Sequence, residues 1–177
     1  VKRSSFLAAA IAVALTSGAL VAQVTKETVP GITNFSKVGT TIACAGATTP
    51  EAIAEVKKLG YAAVVNLRQA SEPGANIEAA TAAAKAAGIK YVHLPFNAAS
   101  PDPAIVEGFL KAVTDPANQP VFVHCASANR AAALWMIKRM NVDGWNQERA
   151  GEEAAALGLT NPALKTFAID YARAHQK

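Results

Sequence analysis

Cys125 and Arg130 are the residues of this chain best placed to do chemistry together, with only Ala126-Ser127-Ala128-Asn129 between them. The apolar run Val121-Phe122-Val123-His124 ends on the cysteine, and Arg130 leads into Ala131-Ala132-Ala133-Leu134-Trp135. That pattern reads as strand, short loop, helix. A thiol ahead of a helix N-terminus and beside a cation ionises more readily than a free one. The backbone N–H groups of Ala126, Ser127, Ala128 and Asn129 are expected to turn inward and cradle an anion at the helix start. Arg130 adds a planar fork that matches two oxygens of a tetrahedral oxyanion. The chemistry is attack by sulfur on a phosphoryl or sulfur centre, with donors aimed at the charge that grows there. His124 is expected to orient the loop through hydrogen bonds and not to act as a base. A buried structural cysteine beside an incidental arginine would leave Ser127 and Asn129, loop formers with no apolar role, unexplained.

The elements that must position this loop alternate along the chain. A strand is expected over Val38–Ala43, and Thr49-Pro50 opens a helix that Gly60 ends. Ala62–Leu67 is a strand, followed by a polar loop with Arg68, Glu72, Pro73 and Gly74. An alanine-rich helix spans 76–87, a strand Tyr91–Phe96, and a helix starts at Asp102-Pro103. The strand Val121–His124 and the helix from Arg130 follow, then helices near 146–157 and 161–174. The strands are continuous apolar runs and not alternating ones, which favours a mostly parallel sheet flanked by helices, an α/β fold. Ligands of such sheets bind beyond the carboxyl ends of the strands, where Cys125 stands.

Arg68 ends a strand on the same sheet edge; it is a candidate for binding the anion, with a salt bridge to Glu72 as its other role. Trp135 and Met136 read as core. The dispersed His and Cys residues do not cluster as metal ligands, so neither metal nor cofactor is expected.

Residues 1–22 read as an export signal. Lys2 and Arg3 precede the apolar run Phe6–Leu15, and Ala19 and Ala22 end possible cleavage sites. The stretch to Ala22 is short for a membrane span, so no anchor is expected after cleavage. Residues 23–35 read as a tail and 36–177 as one domain, periplasmic or secreted. The chain carries 51% hydrophobic residues, which excludes a disordered polymer, and a net charge of +4, too weak for a nucleic-acid partner. Cys44 and Cys125 are the two cysteines. In an oxidising compartment their pairing would silence the nucleophile; otherwise Cys44 is a small buried residue at a strand end.

The stretch His124–Arg130 resembles the phosphate-binding loop of cysteine-dependent phosphatases. The segments Ala45–Glu51, Val65-Asn66-Leu67-Arg68, Tyr91–Pro95 and His124-Cys125 resemble a bacterial family more closely, the beta-lactamase-hydrolase-like, dual-specificity-phosphatase-like proteins. The similarity covers about residues 33–175. It implies a protein-tyrosine-phosphatase-like fold, Cys125 as a nucleophile that forms a phosphocysteine, Arg130 as the phosphate ligand, and a phosphorylated protein or small phosphate ester as substrate. The chain departs from the wider superfamily in three ways. Its loop is one residue shorter, a length shared with rhodanese sulfurtransferases; Ala128 stands where glycine is usual; and Ala131 stands where Ser or Thr is common. A phosphatase also needs an acid for the leaving oxygen, and Asn97 occupies its usual place. Asp102 is the nearest carboxylate and the candidate acid, although an Asp before Pro103 is also a helix N-cap, the leading reading of the two. Two alternatives stay open: a sulfurtransferase in which Cys125 carries a persulfide, and a non-catalytic anion-binding module.

Overall fold

A computed structural model describes residues 23–175, and the export signal read over 1–22 lies outside the described residues. Six strands form one sheet: β1 (Val24–Lys26), β2 (Ser36–Val38), β3 (Ile42–Ala45), β4 (Ala63–Asn66), β5 (Lys90–His93) and β6 (Val121–His124). Their order is β1-β2-β3-β6-β4-β5. The pairs β3–β6, β6–β4 and β4–β5 are parallel, and β1–β2 and β2–β3 are antiparallel. The fold is thus the expected α/β arrangement, with its parallel part centred on β6.

The apolar runs of β3, β4 and β6 follow from burial on both faces. Val121, Val123 and Cys125 join one core with Ile42, Cys44, Ala63, Val65 and Leu67. Phe122 joins the other with Ala43, Ala45 and Val64. Helices α1 (Ala52–Lys58) and α2 (Ile77–Ala87) cover the second core; α3 (Pro103–Thr114), α4 (Asn129–Asn141), α5 (Gln147–Ala156) and α6 (Pro162–Ala174) cover the first. Residues Ala131–Ile137 of α4 are all buried, as an apolar-all-round helix requires. Trp135 is part of that core, and its indole N–H donates to the buried Glu153 carboxylate at 2.7 Å, which also receives Arg139.

Two expectations are corrected. The segment 23–35 is not a tail. It supplies β1, and Val29, Ile32 and Phe35 are buried, with Phe35 stacked on Phe122 at a centroid distance of 6.1 Å. Short polar stretches between these apolar residues hide the pattern. The strand expected over 38–43 is two strands of a hairpin, β2 and β3, joined through a turn at Gly39-Thr40-Thr41. Among the described residues no helix is long and apolar enough to cross a membrane.

Candidate active site

Cys125 stands at the carboxyl end of β6, between β3 and β4, and is fully buried. The chain around it is tied outward by its carbonyls. The His124 carbonyl accepts from the Leu67 N–H at 2.9 Å, and the Ala126 carbonyl from the Ala47 N–H at 3.0 Å. The Ser127 carbonyl accepts from the Asn34 side-chain amide at 3.4 Å, and the Cys125 N–H donates to the Ala45 carbonyl at 3.1 Å. Ser127 pairs with Gly46 in an isolated antiparallel bridge, while the N–H groups of Ala126, Asn129 and Arg130 donate to none of the described residues. Free donors at a helix N-terminus are an anion site. Gly46 permits the close approach of β3 to this loop, since a Cβ there would clash with Thr33 Oγ1 and lie 3.0 Å from the Ala126 carbonyl.

Ala128 turns the loop into α4 in the left-handed region, at φ 73° and ψ −18°. This is the conformation that glycine adopts most cheaply, so the methyl group carries strain at the site. Gly158, between α5 and α6, leaves room for it: a Cβ on Gly158 would sit 3.1 Å from the Ala128 methyl carbon.

Arg130 is held from the loop that follows β4. Its Nη1 and Nη2 donate to the two carboxylate oxygens of Glu72 at 2.6 and 2.7 Å, and Nη1 also meets the Leu67 and Phe96 carbonyls at 3.2 and 3.1 Å. Glu72 and the two carbonyls leave the Nε edge uncommitted, with the Cys125 thiol beside the guanidinium, so that edge can meet an oxyanion held at the sulfur. Burial opposes the Arg130 charge, but Glu72 and the nearby Cys125 thiol more than restore it, so its pKa is raised. Burial likewise works against an ionised Glu72. The hydrogen bonds from Arg130, from the Gln69 N–H and from Arg68 override that and hold its carboxyl at about 2. The sequence offers Glu72 only as a partner for Arg68, whereas the fold sets it on Arg130. Its only signal was an acid placed four residues after an arginine in a polar loop.

The structure does not bring Arg68 to the anion. Its guanidinium is spent on Glu72 at 3.3 Å and on the Gly74 and Pro73 carbonyls at 2.9 and 2.6 Å, so Arg68 braces the loop that carries Glu72. Neither His124 ring nitrogen makes a close hydrogen bond among the described residues, but the Cys125 and Gly46 backbone groups lie near enough to favour its protonated form. The ring stacks near Phe122, and burial, followed by the Arg68 charge, pushes its pKa down to about 3. It is therefore a neutral filler beneath the loop. Asn129 turns its side chain away from the cradle. Its Oδ1 accepts from the N–H groups of Thr160 and Asn161 at 2.7 and 2.8 Å, and its Nδ2 donates to Ser127 Oγ at 3.3 Å.

The mouth of the site is a cleft of about 400 Å3 lined by Glu72, Asn97, Ser127, Asn129, Arg130 and Asn161 among others. Asp102 is not among its lining residues. Asp102 is exposed and caps α3, its Oδ1 accepting the Ala104 N–H at 2.9 Å, the cap role that led its sequence reading. Asn97 does line the cleft, its Oδ1 accepting the Ala99 N–H at 3.0 Å. A larger cavity of about 600 Å3 adjoins across Ser127 and Asn129 and includes Lys26, Asn34 and Thr160. Both cysteines are free and buried. Cys44 faces Val123 across β3–β6, and burial, with Cys125 nearby, pushes its thiol pKa well up.

A strand-end cysteine, a loop of free N–H donors and an arginine on the following helix, set in a sheet of this order, define the protein-tyrosine-phosphatase-like class. The chain matches the family described as beta-lactamase hydrolase-like protein, phosphatase-like domain, over residues 34–142, and belongs to that family. No curated protein matches it. Among solved structures, TpbA of P. aeruginosa is 22% identical, with 84% of this chain and 88% of that chain covered and a TM-score of 0.63. A putative phosphatase (DUF442) of Shewanella putrefaciens CN-32 is 19% identical over 83% of this chain and 96% of its own, with a TM-score of 0.67. The core catalytic domain of the PP-IP phosphatase SIW14 of S. cerevisiae is 20% identical over 80% of this chain and 87% of its own, with a TM-score of 0.65. A TpbA structure has also been solved in complex with pTyr. At these identities the likeness carries the fold.

Proposed function

We propose that this chain is a cysteine-dependent phosphatase acting on phosphate monoesters, from a phosphorylated protein or a small molecule. The observation that carries the reading is the loop from Ala126 to Arg130 around Cys125, in which the N–H groups of Ala126, Asn129 and Arg130 have no partner among the described residues and the Arg130 guanidinium lies beside the thiol. The Cys125 thiolate attacks phosphorus, the bond to the ester oxygen breaks, and a phosphocysteine forms. Water then attacks phosphorus, and the sulfur departs as thiolate. Charge on the equatorial oxygens grows through both steps, and the loop N–H groups and Arg130 are already aimed at it. Glu72 serves by holding Arg130 in register. The likeness to TpbA and SIW14, which bear the names of enzymes or complexes of phosphorylated ligands, supports this class of substrate.

The test is hydrolysis of an aryl phosphate by the purified protein and by Cys125→Ser, with trapped phosphocysteine sought by intact mass. Turnover in the parent and none in the variant is expected; equal activity in both would overturn the reading. Thiocyanate formed from thiosulfate and cyanide would point to sulfur transfer instead. Phosphate binding without turnover on any ester would point to a binding module. The basic start and apolar run of residues 1–22 further support export to the periplasm or beyond, which cell fractionation tests.

A further inference from the structure

The cleft beside Arg130 has a polar wall, but the groups on it are the wrong ones to deliver a proton to a leaving group. Among the described residues Glu72 is the only carboxylate lining the cleft. It grips Arg130 with both oxygens, and its pKa of about 2 leaves it ionised. Asn97 stands on the loop after β5, at the cleft, and an amide donates no proton in a catalytic step. Asp102, the next acid along that loop, is exposed and committed to the α3 cap. His124 is buried and unprotonated. Glu27, the carboxylate of the adjoining cavity, is ion-paired with Lys37. An oxygen leaving from this site therefore has no uncommitted acid among these groups to protonate it.

Resting on the cysteine-phosphatase reading, but replacing its monoester with an anhydride, we propose that the physiological substrate carries its phosphoryl group on an oxygen that departs as a stable anion, as in an acyl phosphate or a phosphoanhydride. In the first step the S–P bond forms from the Cys125 thiolate. The P–O bond breaks with its electron pair on the leaving oxygen, which becomes a free carboxylate or phosphate with no proton taken up. In the second step water attacks phosphorus, the S–P bond breaks with its pair returned to sulfur, and the proton of the water passes to the released phosphate or to solvent. Carboxylates have a conjugate-acid pKa of about 4 and phosphate monoesters of about 6, against about 10 for the tyrosine phenol. Only the first two leave readily unaided at neutral pH. The alkyl phosphates of serine, threonine or sugars are the poorest substrates on this account.

The experiment is the dependence of kcat/KM on leaving-group basicity. The series runs from dinitrophenyl phosphate through nitrophenyl and phenyl phosphate to an alkyl phosphate, with acetyl phosphate and inorganic pyrophosphate as separate arms for the two anion classes. A steep fall along the series is expected, with at least one of the anion arms turned over as fast as the best aryl ester. Asn97→Asp should install the missing donor. Phenyl phosphate turnover then rises by about 10²-fold, the fall along the series flattens, and a new loss of rate appears at alkaline pH, while dinitrophenyl phosphate is unaffected. Asp102→Asn keeps a cap and is expected to leave the series unchanged. A flat dependence in the parent protein, or a loss of about 10²-fold on phenyl phosphate in Asp102→Asn, overturns the proposal and leaves the phosphatase reading standing. Failure to turn over dinitrophenyl phosphate and both anion arms overturns that reading as well.

Discussion

Glu72 holds Arg130 by one edge, with Oε1 2.6 Å from Nη1 and Oε2 2.7 Å from Nη2, and so decides which edge of the guanidinium is left to face Cys125. Removing the carboxylate in Glu72→Ala frees Arg130 to rotate and strips the anion from two mostly buried cations, Arg68 and Arg130. Aryl phosphate kcat/KM should fall by about 10²-fold, the cost of a misplaced catalytic group. Stability should fall by about 3 kcal/mol in urea unfolding, because the cations lose their partner in a desolvated place. A variant with parental kcat/KM would show that Arg130 finds its register without Glu72.

Ala128 and Gly158 face each other, methyl group to bare Cα, and each makes the other tolerable. Ala128→Gly removes left-handed strain of about 1–2 kcal/mol and gives back about 0.4–1 kcal/mol through a freer unfolded chain. A net gain of about 0.5–1 kcal/mol is expected, read as a higher urea midpoint. Gly158→Ala should destabilise strongly, since its Cβ meets the Ala128 methyl at 3.1 Å and its φ is 112°. Combining it with Ala128→Gly should recover the contact part of that loss but not the backbone part. Full additivity in the double variant would mean the two residues do not touch.

The native protein should lose stability on acidification in two overlapping stages. His124 is neutral in the fold with its pKa lowered from 6.5 to about 3. The unfolded chain therefore binds this proton first, and stability declines as pH falls from about 6.5 towards 3. Glu72 is lowered from 4.5 to about 2, so its contribution is complete above about 4.5 and disappears as pH falls to about 2. Urea midpoints against pH should decline in the parent from about 6.5, decline only below about 4.5 in His124→Gln, and lose the lower stage in Glu72→Gln. A parental midpoint constant between pH 6.5 and 4.5 would contradict the burial of a neutral His124.

Asn129 links the anion loop to the start of α6 by accepting the Thr160 and Asn161 N–H groups. Asn129→Asp keeps the acceptor and adds a negative charge beside the cradle. Its melting temperature should match the parent while KM for a phosphate ester rises about tenfold, equivalent to about 1.4 kcal/mol. Asn129→Ala should instead lower stability by about 1 kcal/mol through two unmet N–H groups. A parental KM in Asn129→Asp would place this side chain too far from the bound phosphate to matter.

What could be read from the residues alone is what depends on near neighbours. A strand ending on Cys125, a short loop and a helix from Arg130 are contiguous, so their hydrophobic pattern and turn chemistry are written in one stretch. The caps of α3 and α6 are legible for the same reason: Asp102-Pro103 and Asn161-Pro162 place an acceptor just ahead of a proline at the first turn. The strain at Ala128 was visible too, because a loop of that shape asks for glycine at that point.

Only the tertiary structure decided who touches the site. Glu72 lies 58 residues before Arg130 in the chain, and the parallel pairing of β4 with β6 is what brings its loop against the helix start. Asn34, 93 residues before Ser127, arrives through a segment that looked like a tail until β1 and β2 extended the sheet. The Asp102 cap and the place of Asn97 were legible locally, but only the packed fold set Asn97, and not Asp102, along the cleft with Glu72 and Arg130. Periodicity and turn preference act over a few residues, whereas pairing across a sheet joins distant segments through burial that no single segment encodes. The Cys–Arg loop is thus written locally, and the grip of Glu72 on Arg130 is a property of the packed fold.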